Sequence, residues 1–283
     1  MHLDIDDLRT WIGRTETAHD HAALQPLRAL CATLDRDGSG LEPGAEVPPC
    51  WHWLYFVPLH RQSDMGADGH ARRGGFLPPV ALPRRMWAGS RLEFLAPVRA
   101  AQAIHRTSRI EDVRLKNGRT GPLVFVQVHH EIRAEGQLAI REQHDIVYRD
   151  KPQPGESMPV GVPAPQPAAW TREIVPDDVL LFRYSALTFN SHRIHYDRRY
   201  VTGVEGYPGL VVHGPLIATL LLDLLQRQLP AARVRVFTFK ALQPVFDLAP
   251  FFVCGRMTGD QAVQLWALTS EGHLAMDAHA DLA

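Results

Sequence analysis

The chain has 283 residues, 45% of them hydrophobic and 22% charged, which describes a globular protein and excludes a disordered or fibrous one. Thirty Lys and Arg against 31 Asp and Glu leave a net charge of −1, so the electrostatic footprint of a nucleic-acid or membrane-surface binder is missing and small molecules are the expected partners. At roughly 100 to 150 residues per domain, the length suits two similar modules better than one.

The opening MHLDIDDLRT is acidic where a secretory signal needs a basic start, so no targeting peptide is expected. The most apolar run, residues 216–225, contains Asp223 and falls well short of the ~18 apolar residues of a membrane span. Cys31, Cys50 and Cys254 are three and widely spaced, without a CxxC pair. That usage points to a reducing cytoplasm and away from disulfides or a thiolate metal site.

In chain order, Ile5, Leu8, Trp11 and Ile12 predict an amphipathic helix, and residues 21–34 a second one. Strand signals follow. LEFLAPVRAAQAIHRTSRIEDVRL runs to a turn at Lys116-Asn117-Gly118, and PLVFVQVHHEIRAEGQLAIREQHDIVYR carries a second turn at Glu135-Gly136. Residues 151–169, KPQPGESMPVGVPAPQPAA, hold a proline every few positions and read as a linker. Beyond it come an expected strand at 179–187, an irregular polar stretch, an apolar helix over 214–229, and four strands in RVRVFTFKALQPVF, PFFVCGRM, QAVQLWALTSEG and HLAMDAHADLA. Leu95-Ala96-Pro97-Val98 echoes Leu242-Gln243-Pro244-Val245, each expected inside the first strand of its run, and Pro48 to Leu54 would then be the first-half counterpart of the Gly214 helix. The expected fold is α+β, a double hot dog: an N-terminal module over 1–150, the linker 151–169, and a C-terminal module over 170–283, each a curved antiparallel sheet around a helix.

Chemistry concentrates in residues 188–216, TFNSHRIHYDRRYVTGVEGYPGLVVHGPL. A helix beginning at His213-Gly214-Pro215 leaves backbone N–H groups without intrahelical partners, and Gly214 lets a ligand approach one of them closely. Such an N–H can hold a thioester carbonyl as it becomes an enolate oxygen. The same sequence also suits a helix start chosen for turn geometry alone. His195 can take a proton from water, and the Asn190 amide can hold that water. Asp197 is a candidate to orient His195. His192 and His195 have no third ligand at suitable spacing, so no metal is expected, and His129 and His130 face opposite sides of their strand. Trp51, Trp53 and Trp87 suit a core or tunnel wall.

The segment resembles the hydratase motif of the MaoC-like (R)-specific enoyl-CoA hydratases, and more closely the hydroxyacyl-thioester dehydratase type 2 branch, whose members read TFN-x-HRIHYD followed by EGYPGLVVHGPL. The resemblance implies catalysis by His195, Asn190 and Gly214, with Asn190 where the wider family has an aspartate. An amide cannot act as a base, so His195 is left as sole acid/base. Arg84-Arg85-Met86-Trp87-Ala88-Gly89 is similar to the RRMWAGG run that precedes a strand in bacterial relatives of the itaconyl-CoA and mesaconyl-C4-CoA hydratase type, with Ser90 in place of the second glycine. That similarity implies a C5 dicarboxyl-CoA substrate yielding citramalyl-CoA, with no cofactor beyond the CoA of the substrate itself.

A free carboxylate needs a cation, for which Arg84, Arg85 and Arg193 are candidates. Arg84 and Arg85 suit CoA phosphates equally, and Trp87, Tyr207, Gly209 and His213 complete the expected substrate contacts. Fatty-acyl dehydration, thioester hydrolysis and non-catalytic acyl-CoA binding remain alternatives, as does assembly into a homodimer. Hydrolysis is disfavoured because the first acid on the 214–229 helix, Asp223, lies about two turns in.

Overall fold

The computed structural model describes residues 3–118, 121–150, 161–165 and 167–283. Ten strands form one antiparallel sheet: β1 (Thr15–His21), β2 (Arg84–Phe94), β3 (Ala103–Gly118), β4 (Gly121–Ala134), β5 (Gln137–Arg149), β6 (Trp170–Ile174), β7 (Val234–Ala241), β8 (Phe251–Gly259), β9 (Ala262–Leu268) and β10 (Leu274–Leu282). Their order is β1-β3-β4-β5-β2-β7-β10-β9-β8-β6. Read outward from the centre, the two sides carry the same connectivity. The seam is the β2–β7 ladder, where Gly89 to Glu93 pair with Lys240 to Val236.

The echo of the two LxPV segments has a structural basis. The Leu95 and Ala96 N–H groups both donate to the Ala139 carbonyl, as the Leu242 and Gln243 N–H groups both donate to that of Ala275. These segments lie just past the ends of β2 and β7 rather than inside the strands, while the Arg84 to Gly89 run lies within β2 and does not precede it.

Helices α1 (Ile5–Arg9), α2 (Leu24–Thr33), α3 (Asp178–Leu187), α4 (Arg198–Gly203) and α5 (Gly214–Gln228) complete the chain. Residues 216–225 of α5 are all buried, so this helix is enclosed by the second half of the sheet. Its first-half counterpart is only a 3₁₀ turn, Trp51–Leu54. The layout is a double hot dog in which one copy has lost most of its helix.

Three further expectations differ from what is seen. Residues 179–187 belong to a helix and not a strand: Asp177 caps it by accepting the Leu180 N–H at 2.8 Å, and burial of Leu181, Tyr184 and Ser185 follows helical spacing. His21 ends strand β1 rather than beginning a helix, and β1 itself, TETAHDH, is a polar edge strand with too few apolar residues to announce itself. Lys116, Asn117 and Gly118, expected to form a turn, instead pair as strand with Leu123, Pro122 and Gly121, and residues 119–120 lie outside the described residues. At Glu135-Gly136 both φ angles are positive, 48° and 81°, as a tight two-residue hairpin requires. Of the proline-rich segment, positions 151–160 and 166 lie outside the described residues. Among the described residues no helix is long and apolar enough to cross a membrane.

The missing helix leaves space. Across β2–β5, Phe94, Leu92 and Ser90 oppose Ile140, Glu142 and His144, and across the matching β7–β10 ladder Ala241, Phe239 and Phe237 oppose Met276, Ala278 and Ala280. The alanines let α5 approach the second-half sheet. Glu142 and His144 instead line a cavity of about 1050 Å³.

Candidate active site

The helix end of α3 delivers Asn190. Phe189 takes a left-handed conformation with φ 50°, and the Asn190 N–H donates to the Ser185 carbonyl at 2.8 Å while the Phe189 N–H donates to that of Ala186. This is a Schellman ending, with phenylalanine where glycine is usual. The Asn190 side chain lines the cavity, and its Oδ1 accepts the His192 N–H at 3.0 Å, which leaves the amide NH₂ to donate to a ligand.

A 3₁₀ turn, Arg193–His195, then places His195 in the cavity wall at 7% exposure. Its Nδ1 lies 2.7 Å from the Val211 carbonyl, which can only accept, so the ring carries its proton on Nδ1 and its lone pair on Nε2. Burial pulls this imidazole down to about 4 from 6.5, which keeps it neutral and ready to accept a proton near neutral pH. The His213 ring stacks on it at 3.7 Å between centroids and is itself held by Ser185 Oγ at 2.8 Å. His213 therefore fixes the plane of His195. Asp197 does not touch His195; it accepts from Arg193 and caps α4 through the Tyr200 N–H. The orienting group is the backbone carbonyl of Val211, which no side-chain pattern announces.

Gly214 opens α5 at the cavity, and a Cβ built there would meet nothing within 4 Å. As the first residue of a 15-residue helix, Gly214 has an N–H without an intrahelical acceptor at the positive end of the helix dipole. The site thus joins a neutral imidazole, an amide donor and a helix-start N–H, a set suited to moving a proton while stabilising an oxyanion.

Of the expected substrate contacts, Arg84, Arg85, Trp87, Tyr207 and His213 line the cavity, whereas Arg193 and Gly209 do not. Arg193 is bound to Asp197 and the Ala67 carbonyl. A Cβ on Gly209 would come within 2.5 Å of the Asp247 carboxylate, so that position is small for packing. Arg84 is buried, paired with the Glu205 carboxylate at 3.3 Å, and stacked 4.4 Å from the Tyr207 ring. Trp87 packs against Trp53 and His144. Asp223 lies on α5 away from the cavity lining, in contact with Arg36, Arg172 and Arg227.

The first half adds residues that sequence reasoning missed. The segment Asp68-Gly69-His70 is fastened across the loop that carries Asn190 and His195: Ser191 Oγ donates to the Gly69 carbonyl at 2.6 Å, and the Arg193 N–H donates to that of Asp68 at 2.9 Å. Gly69 has φ +87°, and a Cβ there would lie 1.9 Å from the Ser191 carbonyl oxygen. His70 bonds Asp68 through Nδ1 at 2.9 Å, and its ring lies 3.9 Å from that of His192, which stands edge-on to His195 at 5.5 Å. Ligand atoms of Asp68, His70 and His192 fall within 4.8 Å of one another, so the groups that gather around His192 come from the first half of the chain, and His195 is not one of them. Also in the cavity wall, Glu142 accepts from His52, Trp53 Nε1 and Ser90 Oγ at 3.1–3.3 Å, and against the effect of its full burial the His52 bond, with the neighbouring imidazoles of His130 and His144, holds its carboxyl down at about 2.

Known proteins resemble this chain along most of its length. The model of the family described as hydroxyacyl-thioester dehydratase type 2 matches residues 50–247. A mesaconyl-C(4)-CoA hydratase of Chloroflexus aurantiacus is 46% identical over 279 residues, 98% of each chain. Among solved structures, a MaoC-like dehydratase from Phytophthora capsici superposes with a TM-score of 0.68 at 14% identity, covering 99% of this chain and 98% of that one. A Mycobacterium tuberculosis protein described as having a double hotdog fold gives 0.62 at 14% identity, over 98% and 97%.

Proposed function

Because the chain belongs to the hydroxyacyl-thioester dehydratase type 2 family, and so is a hydratase/dehydratase of unsaturated acyl-CoA thioesters, we propose that it hydrates a C5 dicarboxyl-CoA such as mesaconyl-C4-CoA, giving citramalyl-CoA. The observation that carries the mechanism is the His195 Nδ1–Val211 carbonyl bond, which commits the lone pair to Nε2. His195 takes a proton from water held by the Asn190 amide, and the water oxygen bonds to the β-carbon. The π electrons move toward the thioester, where the Gly214 N–H holds the enolate oxygen. The proton then passes from His195 to the α-carbon as the thioester carbonyl re-forms. Dehydration uses the same groups in reverse.

His213 acts here as a positioning residue. The reading needs no cofactor beyond the CoA carried by the substrate. It places the protein in the cytoplasm, in keeping with three cysteines that are all free and buried.

The test follows loss of enoyl-thioester absorbance with mesaconyl-C4-CoA, itaconyl-CoA and crotonyl-CoA, with products weighed by mass spectrometry. A gain of one water on a C5 substrate, abolished by His195→Ala, supports the proposal. Preference for crotonyl-CoA would move the assignment to fatty-acyl chemistry, and release of free CoA without hydration would replace it with thioester hydrolysis.

A further inference from the structure

Among the described residues, Glu205, Asp68 and Glu142, the carboxylates in and beside the cavity, already have partners. Glu205 is bound to Arg84 and receives the Tyr200 hydroxyl, Asp68 is bound to His70, and Glu142 is held by His52, Trp53 and Ser90. Arg85 also lines the cavity, opposite Tyr148 in the β2–β5 ladder, and among the described residues no carboxylate lies within salt-bridge reach of it. Arg85 lines the same cavity as His70, His192 and His144, and the His192 ring stands edge-on to that of His195 at 5.5 Å. An arginine held in a half-buried wall with no acid beside it suits an anion that arrives with the ligand.

The chemistry says where that anion must be. In mesaconyl-C4-CoA the free carboxylate is attached to the same carbon that receives the hydroxyl, so the group that grips it has to stand beside the catalytic base and not at the cavity mouth. Arg193 is outside the cavity and Arg84 is neutralised by Glu205. Arg149 shares the face of Arg84, with which it pairs across the ladder, and its charge is felt at Tyr207. We infer that Arg85, with the imidazoles of His70 and His192 beside it, is the subsite for the free carboxylate of the acyl chain, and that it selects dicarboxyl thioesters over plain enoyl thioesters. This rests on the hydration proposed above. His70 gives its Nδ1 proton to Asp68, and burial holds this imidazole below its usual value, so its Nε2 carries a lone pair and the grip on the bound carboxylate belongs to the Arg85 guanidinium.

The experiment compares mesaconyl-C4-CoA, its methyl ester and crotonyl-CoA on the native protein, Arg85→Gln, Arg85→Lys and Arg149→Gln. The native protein should favour the free acid over the ester in kcat/KM. In Arg85→Gln the ratio of kcat/KM for mesaconyl-C4-CoA over crotonyl-CoA should fall about 100-fold or more, the scale of removing one partner of a buried charge pair. Arg85→Lys should recover part of that ratio, and Arg149→Gln should leave it in place.

An equal loss on both substrates, or no loss, would overturn the assignment, as would a native protein indifferent to esterification. The ester comparison needs no variant and stands even if Arg85→Gln fails to fold. Calorimetric binding of the acid and its ester decides the question separately from turnover. A protein that binds the acid selectively through Arg85 but hydrates nothing would keep this subsite and remove the hydratase reading.

Discussion

The two halves of the sheet carry the same strand order and differ in what lies against them. In the second half α5 is enclosed for ten consecutive residues over Ala278 and Ala280, and its N-terminus supplies the Gly214 N–H. In the first half a four-residue turn stands over Glu142 and His144, and the space belongs to the ligand. One copy of the fold keeps its helix and carries the candidate catalytic groups, while the other gives up its helix and makes room. A covalently joined pair can divide labour in this way, whereas two identical subunits cannot.

Four measurements would break or sharpen that contrast. The largest effect belongs to the second half: His195→Ala should lower kcat/KM by about 100- to 10,000-fold, the range of general acid–base catalysis, with the circular dichroism spectrum unchanged. A residual rate near that of the native protein would mean the proton is handled elsewhere. Next is the place where the halves touch. Gly69→Ala forces a side chain into the Ser191 carbonyl and lifts the first-half loop from the catalytic one. Activity should fall about 100-fold, the scale of a displacement of about 1 Å at a reacting centre, while the melting temperature moves little.

Exchanging the matched floor residues gives a smaller effect. Ala280→His copies His144 beneath α5 and should cost about 1–3 kcal/mol by overpacking, read from thermal unfolding. The reciprocal His144→Ala opens onto existing space and should cost less. If the two were equal, the halves would not differ in packing as described.

Smallest and most distributed is the response to pH. Burial holds the folded-state values of His195 and His144 at about 4 and of His130 at about 3, all below 6.5. Between 6.5 and about 4 the unfolded chain therefore binds more protons than the folded one. Stability is fully present above 6.5 and should decline as pH falls through that window. Glu142, held at about 2 from 4.5, adds a further loss below 4.5. The hydration rate should stay level from neutral pH down toward 5, because His195 keeps its lone pair over that range. A rate falling with a midpoint near 6.5 would show that the base is exposed.

The gathering of Asn190, His195 and Gly214 in one cavity was legible in the sequence because they are close together: they span 25 residues, and a polar loop before an apolar helix marks a candidate site. The double hot dog was legible from alternating strands and from the resemblance. What was hidden was held by distance or by the backbone. Val211 acts through its carbonyl, and His70 reaches His192 from the other half of the chain. The neutralisation of Arg84 by Glu205 depends on a contact 121 residues apart, so three arginines that looked equivalent in sequence are distinct in space. The α3 helix was hidden by its content of apolar and aromatic residues, which fit a strand as readily until the Asp177 cap is seen.

The fastenings that bring the halves together also set the tempo at which the molecule becomes useful. Ser191 meets Gly69 across 122 residues, and His52 meets Glu142 across 90. Contacts this distant in sequence form slowly, because a large loop must close before any of them is rewarded. Turnover, which needs the Asp68–His70 segment seated on a finished second half, should therefore return last when the denatured chain is diluted back to native conditions, after secondary structure and compactness have recovered.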